Sequence, residues 1–239
     1  MMSVNLRMFA LIPLTALALA GCEVTTSSTP RTQAPPQQQP KVARLDSATA
    51  ARNFTAVVRR VEPVAEQICR QRTQGVNCDF KIVVDNRPNQ PPNAFQTLDR
   101  SGRPVVAFTV ALIAEAQNQD ELAFVMGHET AHHIAGHIPR TQQSALGGMI
   151  IGGIAAAVLG ADVKSGQDLG ATVGARRYSK DFELEADSLG TRITARAGYN
   201  PLRGAQYFNR IPDPGNRFLG SHPPNAQRME VVRRTAAGL

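Results

Sequence analysis

His128-Glu129-Thr130-Ala131-His132 is the stretch on which the reading of this chain turns. On a helix, His128 and His132 lie four residues apart on one face, close enough for both imidazoles to bind one Zn²⁺. Glu129 is rotated by about 100° from His128, so it flanks the metal and can reach a water instead of ligating. A helix is what the flanks predict: Asn118 with Glu121 three residues later forms a capping box, opening a helix over residues 118–137.

Two histidines need a third ligand. A metzincin pattern would put Gly at position 135 and His at 138, where this chain has Ala135 and Ile138. A gluzincin takes a Glu from a later helix, often with an acidic partner one turn on, and Phe182-Glu183-Leu184-Glu185-Ala186-Asp187 supplies that arrangement. Glu183 and Asp187 share a face, whereas Glu185 points elsewhere. The expectation is Glu183 as third ligand and Asp187 as the acceptor that holds a ligand imidazole in its metal-binding tautomer. By itself such a pair is a common solvated acidic face; the HExxH upstream gives it weight. His133 and His137 point away from the two-histidine face, so packing or capping is expected of them. His222, in the stiff turn Ser221-His222-Pro223-Pro224 with Arg228 following, is incidental on residue type alone.

Outward from this centre the chain reads as α+β: a mainly helical zincin domain with a small antiparallel sheet, the HExxH helix and the glutamate-ligand helix facing each other. Phe54, Val57, Val58, Val61, Val64, Ala65 and Ile68 recur at spacings of three and four, predicting an amphipathic helix over 48–72 that Pro63 should kink or split. Residues 80–84 and 104–108 are β-branched runs separated by a Pro/Asn/Gly-rich segment. Residues 145–161 are uncharged, with Gly148, Gly152, Ala156 and Gly160 repeating every four, a face that permits close helix approach. That predicts either a helix packed over the active site or one facing a membrane or partner. Further helices are expected over 180–197, stopped by Gly198, then from Asn200-Pro201, and over 225–236.

The domain plan is a leader over 1–21, a lipidated tether over 22–45, and a metallopeptidase domain over 46–239. Arg7 and the apolar run 8–20 read as a signal peptide. Leu19-Ala20-Gly21-Cys22 resembles a bacterial lipobox, making Cys22 the diacylated mature N-terminus, and Glu23 resembles an outer-membrane sorting signal. Residues 24–45, rich in Thr, Ser, Pro and Gln, cannot bury enough surface to fold. Cys69 and Cys78 remain as an even pair, expected to form a structural disulfide in an oxidising compartment. An aromatic content of 5% with no Trp argues against a large barrel or sandwich core. The net charge of +7, or +6 once Arg7 leaves, is scattered without aromatic interleaving. A nucleic-acid partner is therefore disfavoured, and weak attraction to anionic lipid head groups is expected.

Four stretches together resemble the HtpX-like and CAAX prenyl protease type of gluzincin, in its periplasmic lipoprotein branch. They are Asn93-Ala94-Phe95; Asp120-Glu121-Leu122-Ala123 leading into the HExxH with His137 beyond it; residues 178–187, which run from Tyr178 to Asp187; and the His222 turn with Arg228. The resemblance implies one Zn²⁺ held by His128, His132 and Glu183, Glu129 as catalytic acid/base, and His222 as a switch ligand or oxyanion stabiliser, with Arg228 orienting its loop. It also implies an edge strand at Asn93, Ala94 and Phe95 that aligns a polypeptide substrate by β-addition. Here Gln96-Thr97-Leu98-Asp99 departs from the family's Gly-containing hairpin, and Lys180 stands where Arg is common. The activity implied is metal-activated peptide hydrolysis in envelope protein quality control. The rival is a latent zinc-stabilised lipoprotein that holds misfolded envelope proteins without cutting them. A purely structural lipoprotein would require the HExxH, the Glu183/Asp187 pair and the His222 turn all to be accidents. Partner docking through a tetratricopeptide repeat is not expected, so any such docking would use another surface.

Overall fold

The computed structural model describes residues 44–177, 179–213, 215 and 222–239. The leader, Cys22, the tether up to residue 43, Tyr178 and Ser221 lie outside the described residues. Helix α1 (Ser47–Arg72) starts where Asp46 accepts the Thr49 N–H at 2.9 Å, and it buries Phe54, Val57, Val61, Ala65 and Ile68. The split expected at Pro63 does not occur, because Pro63 and Arg59, the residue whose carbonyl loses its donor, are both exposed and water can satisfy that carbonyl.

Strands β1 (Lys81–Asp85), β2 (Ala94–Leu98) and β3 (Pro104–Thr109) form one sheet in the order β1-β3-β2. The sheet is mixed where an antiparallel one was expected. β2 and β3 pair antiparallel, with Phe95 opposite Ala107, whereas β1 and β3 run parallel, with Val83 opposite Ala107. The reason is β2 itself: a strand placed in the Pro/Asn-rich connection reverses the chain once more, so the two β-branched runs point the same way. Phe108 of β3 is fully buried and meets Phe54 of α1 edge-on, 5.1 Å between centroids.

After β3 the chain turns through α2 (Val110–Glu115) into α3 (Gln119–Ile134), whose N-cap is Asn118, accepting from Glu121 N–H. Glu121 does not complete a reciprocal box at the cap residue. Its carboxylate accepts the Gln117 N–H one residue earlier, at 2.8 Å, and is clamped by Arg210, while Asp120 beside it pairs with Arg203 and accepts the Asn200 N–H at 2.9 Å. These two buried carboxylates tie the start of α3 to the segment around α7 (Pro201–Gly204) and the 3₁₀ turn Ala205–Asn209.

Helix α3 ends at Ile134, three residues short of the expected 137, because Gly136 adopts the left-handed conformation (φ 67°) and α4 (His137–Val158) starts anew. The uncharged 145–161 segment falls in α4 and just beyond it, and it does not pack over the active site. It lies against α5 (Val163–Arg177), a helix that the Gly-rich sequence did not announce. A Cβ on Gly148 or Gly152 would stand 2.0–2.1 Å from the carbonyl oxygens of Gly170 or Gly166, so the two helices touch backbone to backbone. The hairpin leaves Ile150, Ile151, Ile154, Val158 and Leu159 exposed, yet no helix among the described residues is long and apolar enough to cross a membrane.

Helix α6 (Ser179–Arg196) packs along α3, and α8 (Asn225–Ala237) closes over α6. Cys69 and Cys78 form the expected disulfide, Cα–Cα 5.7 Å. His133 docks onto that loop, donating Nε2–H to the Asn77 carbonyl at 2.8 Å and meeting Phe80 edge-on, the packing use expected of it.

Candidate metal centre

Residues 120 to 131 of α3 are buried almost without interruption, so the two histidines point into a wall formed by α6 and α8 and not into solvent. His128 Nε2 and His132 Nε2 are 3.0 Å apart. Glu183 of α6 brings Oε2 to 3.4 Å from the first and Oε1 to 3.4 Å from the second. A tetrahedral ion with bonds of about 2.0–2.1 Å separates its ligand atoms by about 3.3 Å, which is the spacing found. Glu183 Oε2 is buried and receives no well-formed hydrogen bond, although His128 Nε2, His222 Nδ1 (3.1 Å) and Arg228 Nη2 (3.6 Å) all converge on it. Among the described residues, His128, His132 and Glu183 are the group able to hold a metal ion. Two neutral nitrogens and a carboxylate oxygen form a donor set that fits zinc.

His128 is braced from behind. Asp187 Oδ1 lies 2.9 Å from His128 Nδ1, so the ring proton is drawn to Nδ1 and Nε2 is left facing Glu183. Arg228 grips Asp187 with Nε at 2.8 Å and Nη2 at 2.7 Å while its guanidinium lies 3.9 Å over the Phe208 ring. Arg228 thus braces Asp187 and is buried with it; the structure does not place it as an anchor of the His222 loop. His222, half exposed, reaches the centre from the turn before α8.

The electrostatics of this pocket favour a positive charge within it. Burial works against a charge on His128, but Asp187 and Glu183 outweigh it and hold the ring at about 10. Burial, reinforced by the charge on His128, pushes His132 down to about 3. Burial would raise Glu183, yet the close approach of His128 and His222 holds it far below the carboxylate range. Glu129 goes the other way: burial raises it against the pull of His128. The backbone of Gln96 also lowers it slightly, and Glu129 and Gln96 line one cleft, which sets the motif beside the edge strand β2.

Two clefts of about 340 Å³ each open on the centre. One is lined by Asn93, Ala94, Phe95 and Gln96 of the β2 edge together with His132 and Ile138. The other is apolar, walled by Leu112, Phe124, Val125, Tyr207, Phe208 and Ile211. Both share His128, Glu129, Glu183 and His222. An extended chain laid along β2 would therefore pass Glu129 with residues on either side of it.

Sequence reasoning misses three parts of this arrangement. Tyr207, Phe208 and Ile211 of the apolar cleft carry no local signal. Gly127 and Gly190, where α3 meets α6, stand in no motif. His137 points away only on the assumption of one continuous helix, yet its Nδ1 is 2.8 Å from His132 Nδ1, and its Nε2 is 3.2 Å from Glu185. Gly136 is the available signal that the helix breaks there.

Comparison with known proteins agrees with this geometry. A family model described as Peptidase family M48 matches residues 51–236. A putative beta-barrel assembly-enhancing protease of Vibrio cholerae is 32% identical over 129 residues, 50% of this chain and 26% of that protein. The mitochondrial metalloendopeptidase OMA1 of Saccharomyces cerevisiae is 29% identical over 165 residues, 65% of this chain and 46% of that protein. The beta-barrel assembly-enhancing protease of Escherichia coli is 26% identical over 147 residues, 53% and 29% of the two chains. The aligned part thus spans between about a quarter and about half of these relatives.

Proposed function

The chain belongs to peptidase family M48, and on that premise we propose that it is a zinc-dependent endopeptidase acting on polypeptides in the bacterial cell envelope. The domain would occupy residues 46–239, tethered by a lipid on Cys22 at the outer membrane and facing the periplasm. The observation that carries the reading is the mutual 3.0–3.4 Å spacing of His128 Nε2, His132 Nε2 and the Glu183 carboxylate, with Glu183 Oε2 left for a cation.

His128, His132 and Glu183 would hold the zinc, which would supply a Lewis acid. Glu129 would take one proton from the attacking water as its oxygen adds to the scissile carbonyl, and would deliver it to the amine that leaves when the C–N bond breaks. His222, 3.1 Å from Glu183, is near enough to donate to the oxygen on which negative charge develops. The β2 edge at Asn93, Ala94 and Phe95 would hold the substrate backbone as an added strand, a mode that accepts many sequences. The apolar cleft favours a large hydrophobic side chain beside the cut, a feature of unfolded envelope proteins. Relatives named as beta-barrel assembly-enhancing proteases support that substrate class.

The decisive experiment is metal content by mass spectrometry together with casein cleavage, comparing the purified chain with Glu129→Gln and His222→Ala. Stoichiometric zinc in all three, with turnover abolished in Glu129→Gln and reduced in His222→Ala, is the expected result. A second reading, a latent zinc-stabilised binding module, is favoured by the contact of His222 with Glu183. Zinc without cleavage, even in His222→Ala, would favour it. A chain that takes up no zinc would sink both.

A further inference from the structure

His132 is the metal-ligand candidate without a carboxylate directly behind it, and what stands there instead is a second imidazole. His132 Nε2 faces His128 Nε2 and Glu183, so as a ligand it must be unprotonated, and a neutral ring then carries its hydrogen on Nδ1. That Nδ1 is 2.8 Å from His137 Nδ1. One hydrogen lies between two nitrogens, so His137 must accept through Nδ1 and carry its own hydrogen on Nε2. His137 Nε2 is 3.2 Å from Glu185 Oε2, an acceptor, and Arg140 Nη1 holds the same oxygen at 2.7 Å.

We propose that His137 and Glu185 are positioning residues that fix the tautomer and ring orientation of His132 for metal binding, through the chain His132 to His137 to Glu185 to Arg140. The inference rests on the zinc-site reading above. It parallels the brace on the other ligand, where His128 is backed by Asp187 and Asp187 by Arg228. His137 is itself held rigidly, since it is 4% exposed and its ring lies stacked on Phe182 at 4.6 Å and 10°. Gly136 makes the geometry possible. On an unbroken helix a residue five positions on would be turned about 140° away from His132, and the left-handed turn at Gly136 brings it back. Glu185 is half exposed, so water can substitute for it in part, and His137 carries the larger effect.

The experiment is zinc affinity by competition with a chromophoric chelator, on the full chain, with the visible spectrum of the cobalt(II)-loaded form as second readout. His137→Phe keeps a ring on Phe182 but removes the acceptor. It should weaken zinc by about 10- to 100-fold and shift the cobalt bands. His137→Asn, whose amide oxygen can stand where Nδ1 stood, should restore affinity to within about threefold of the unmodified chain, well inside that loss. Equal affinity in His137→Phe, or a His137→Asn as weak as His137→Phe, would overturn the proposal. Should His137→Phe fail to fold, nitrogen-15 histidine spectra of the zinc-loaded unmodified chain decide instead. Hydrogens on His132 Nδ1 and His137 Nε2 support the chain of bonds, and a hydrogen on His137 Nδ1 rules it out. An unmodified chain that binds no zinc would overturn the site reading itself, a different outcome from a site that binds zinc regardless of His137.

Discussion

Gly127 and Gly190 face each other where α3 crosses α6: a Cβ on Gly127 would stand 2.8 Å from the Gly190 carbonyl oxygen, and one on Gly190 2.8 Å from the His128 backbone nitrogen. The helix carrying both histidines and the helix carrying Glu183 are in backbone contact one residue from a ligand. That contact sets how far the short reach of Glu183 must extend.

Gly190→Ala is therefore expected to push α6 off α3. The overpacking should cost about 1–3 kcal/mol in thermal or urea unfolding of the metal-free chain. Zinc affinity should fall as well, because Glu183 moves with α6. A Gly190→Ala chain with unchanged unfolding midpoint and unchanged zinc affinity would show that the crossing is looser than the structure indicates.

Asp187 is fully buried between His128 and Arg228. Replacing it with Ala strips the buried Arg228 guanidinium of its two short hydrogen bonds and leaves it Glu183 Oε2 at 3.6 Å, a loss of about 3–5 kcal/mol. It also removes the acceptor from His128, which should weaken zinc by about 10- to 100-fold. Because Arg228→Leu together with Asp187→Ala removes both charges, the double variant should recover stability without recovering zinc affinity. Recovery of both would mean that Asp187 serves the fold alone.

Burial raises Glu129 against the opposing charge of His128. In the chain stripped of metal by a chelator, Glu129 should therefore keep its proton to a higher pH than an ordinary glutamate, about 4.3, and ionise only as pH rises through the raised pKa, as followed by carbon-13 NMR of its carboxyl carbon. A Glu129 signal that titrates at or below the ordinary carboxylate range would show that the side chain is solvated and not enclosed.

The Cys69–Cys78 disulfide spans nine positions and joins the end of α1 to the entry of β1, with both sulfurs' residues buried. A loop of that length constrains the unfolded chain by about 2–3 kcal/mol. The double variant Cys69→Ala, Cys78→Ala should lose that amount in urea denaturation while keeping zinc, since the bridge is remote from the ligands. Loss of zinc in a variant that still folds would show that the bridge acts on the metal centre through His133, which hydrogen-bonds the Asn77 carbonyl inside the loop.

Much of the centre was legible because its information is local. His128 and His132 belong to one helix, so a spacing of four determines their common face, and Glu183 with Asp187 obeys the same rule on α6. The pairing of Cys69 with Cys78 followed from parity. The amphipathic repeat of α1 and the cap at Asn118 are likewise contained in short windows. Pro63 shows where a local rule yields to solvent: an exposed carbonyl that loses its donor can be served by water, and the helix continues.

What only the tertiary structure decided depends on residues far apart in the chain. Strand direction is one case, since β2 between β1 and β3 makes those two parallel, and no pattern within either run encodes that. The partner of the small-residue face on α4 is another: glycines are silent as to which helix will use the space they leave, and α5 filled it. The apolar cleft is assembled from α2, α3 and the segment after α7. The sequence by itself determined which side chains could meet a metal ion, because periodicity governs faces within one helix. The fold determined what stands behind them, Arg228 on Asp187 and His137 on His132, because a contact between helices depends on where each one breaks and how closely two backbones can approach.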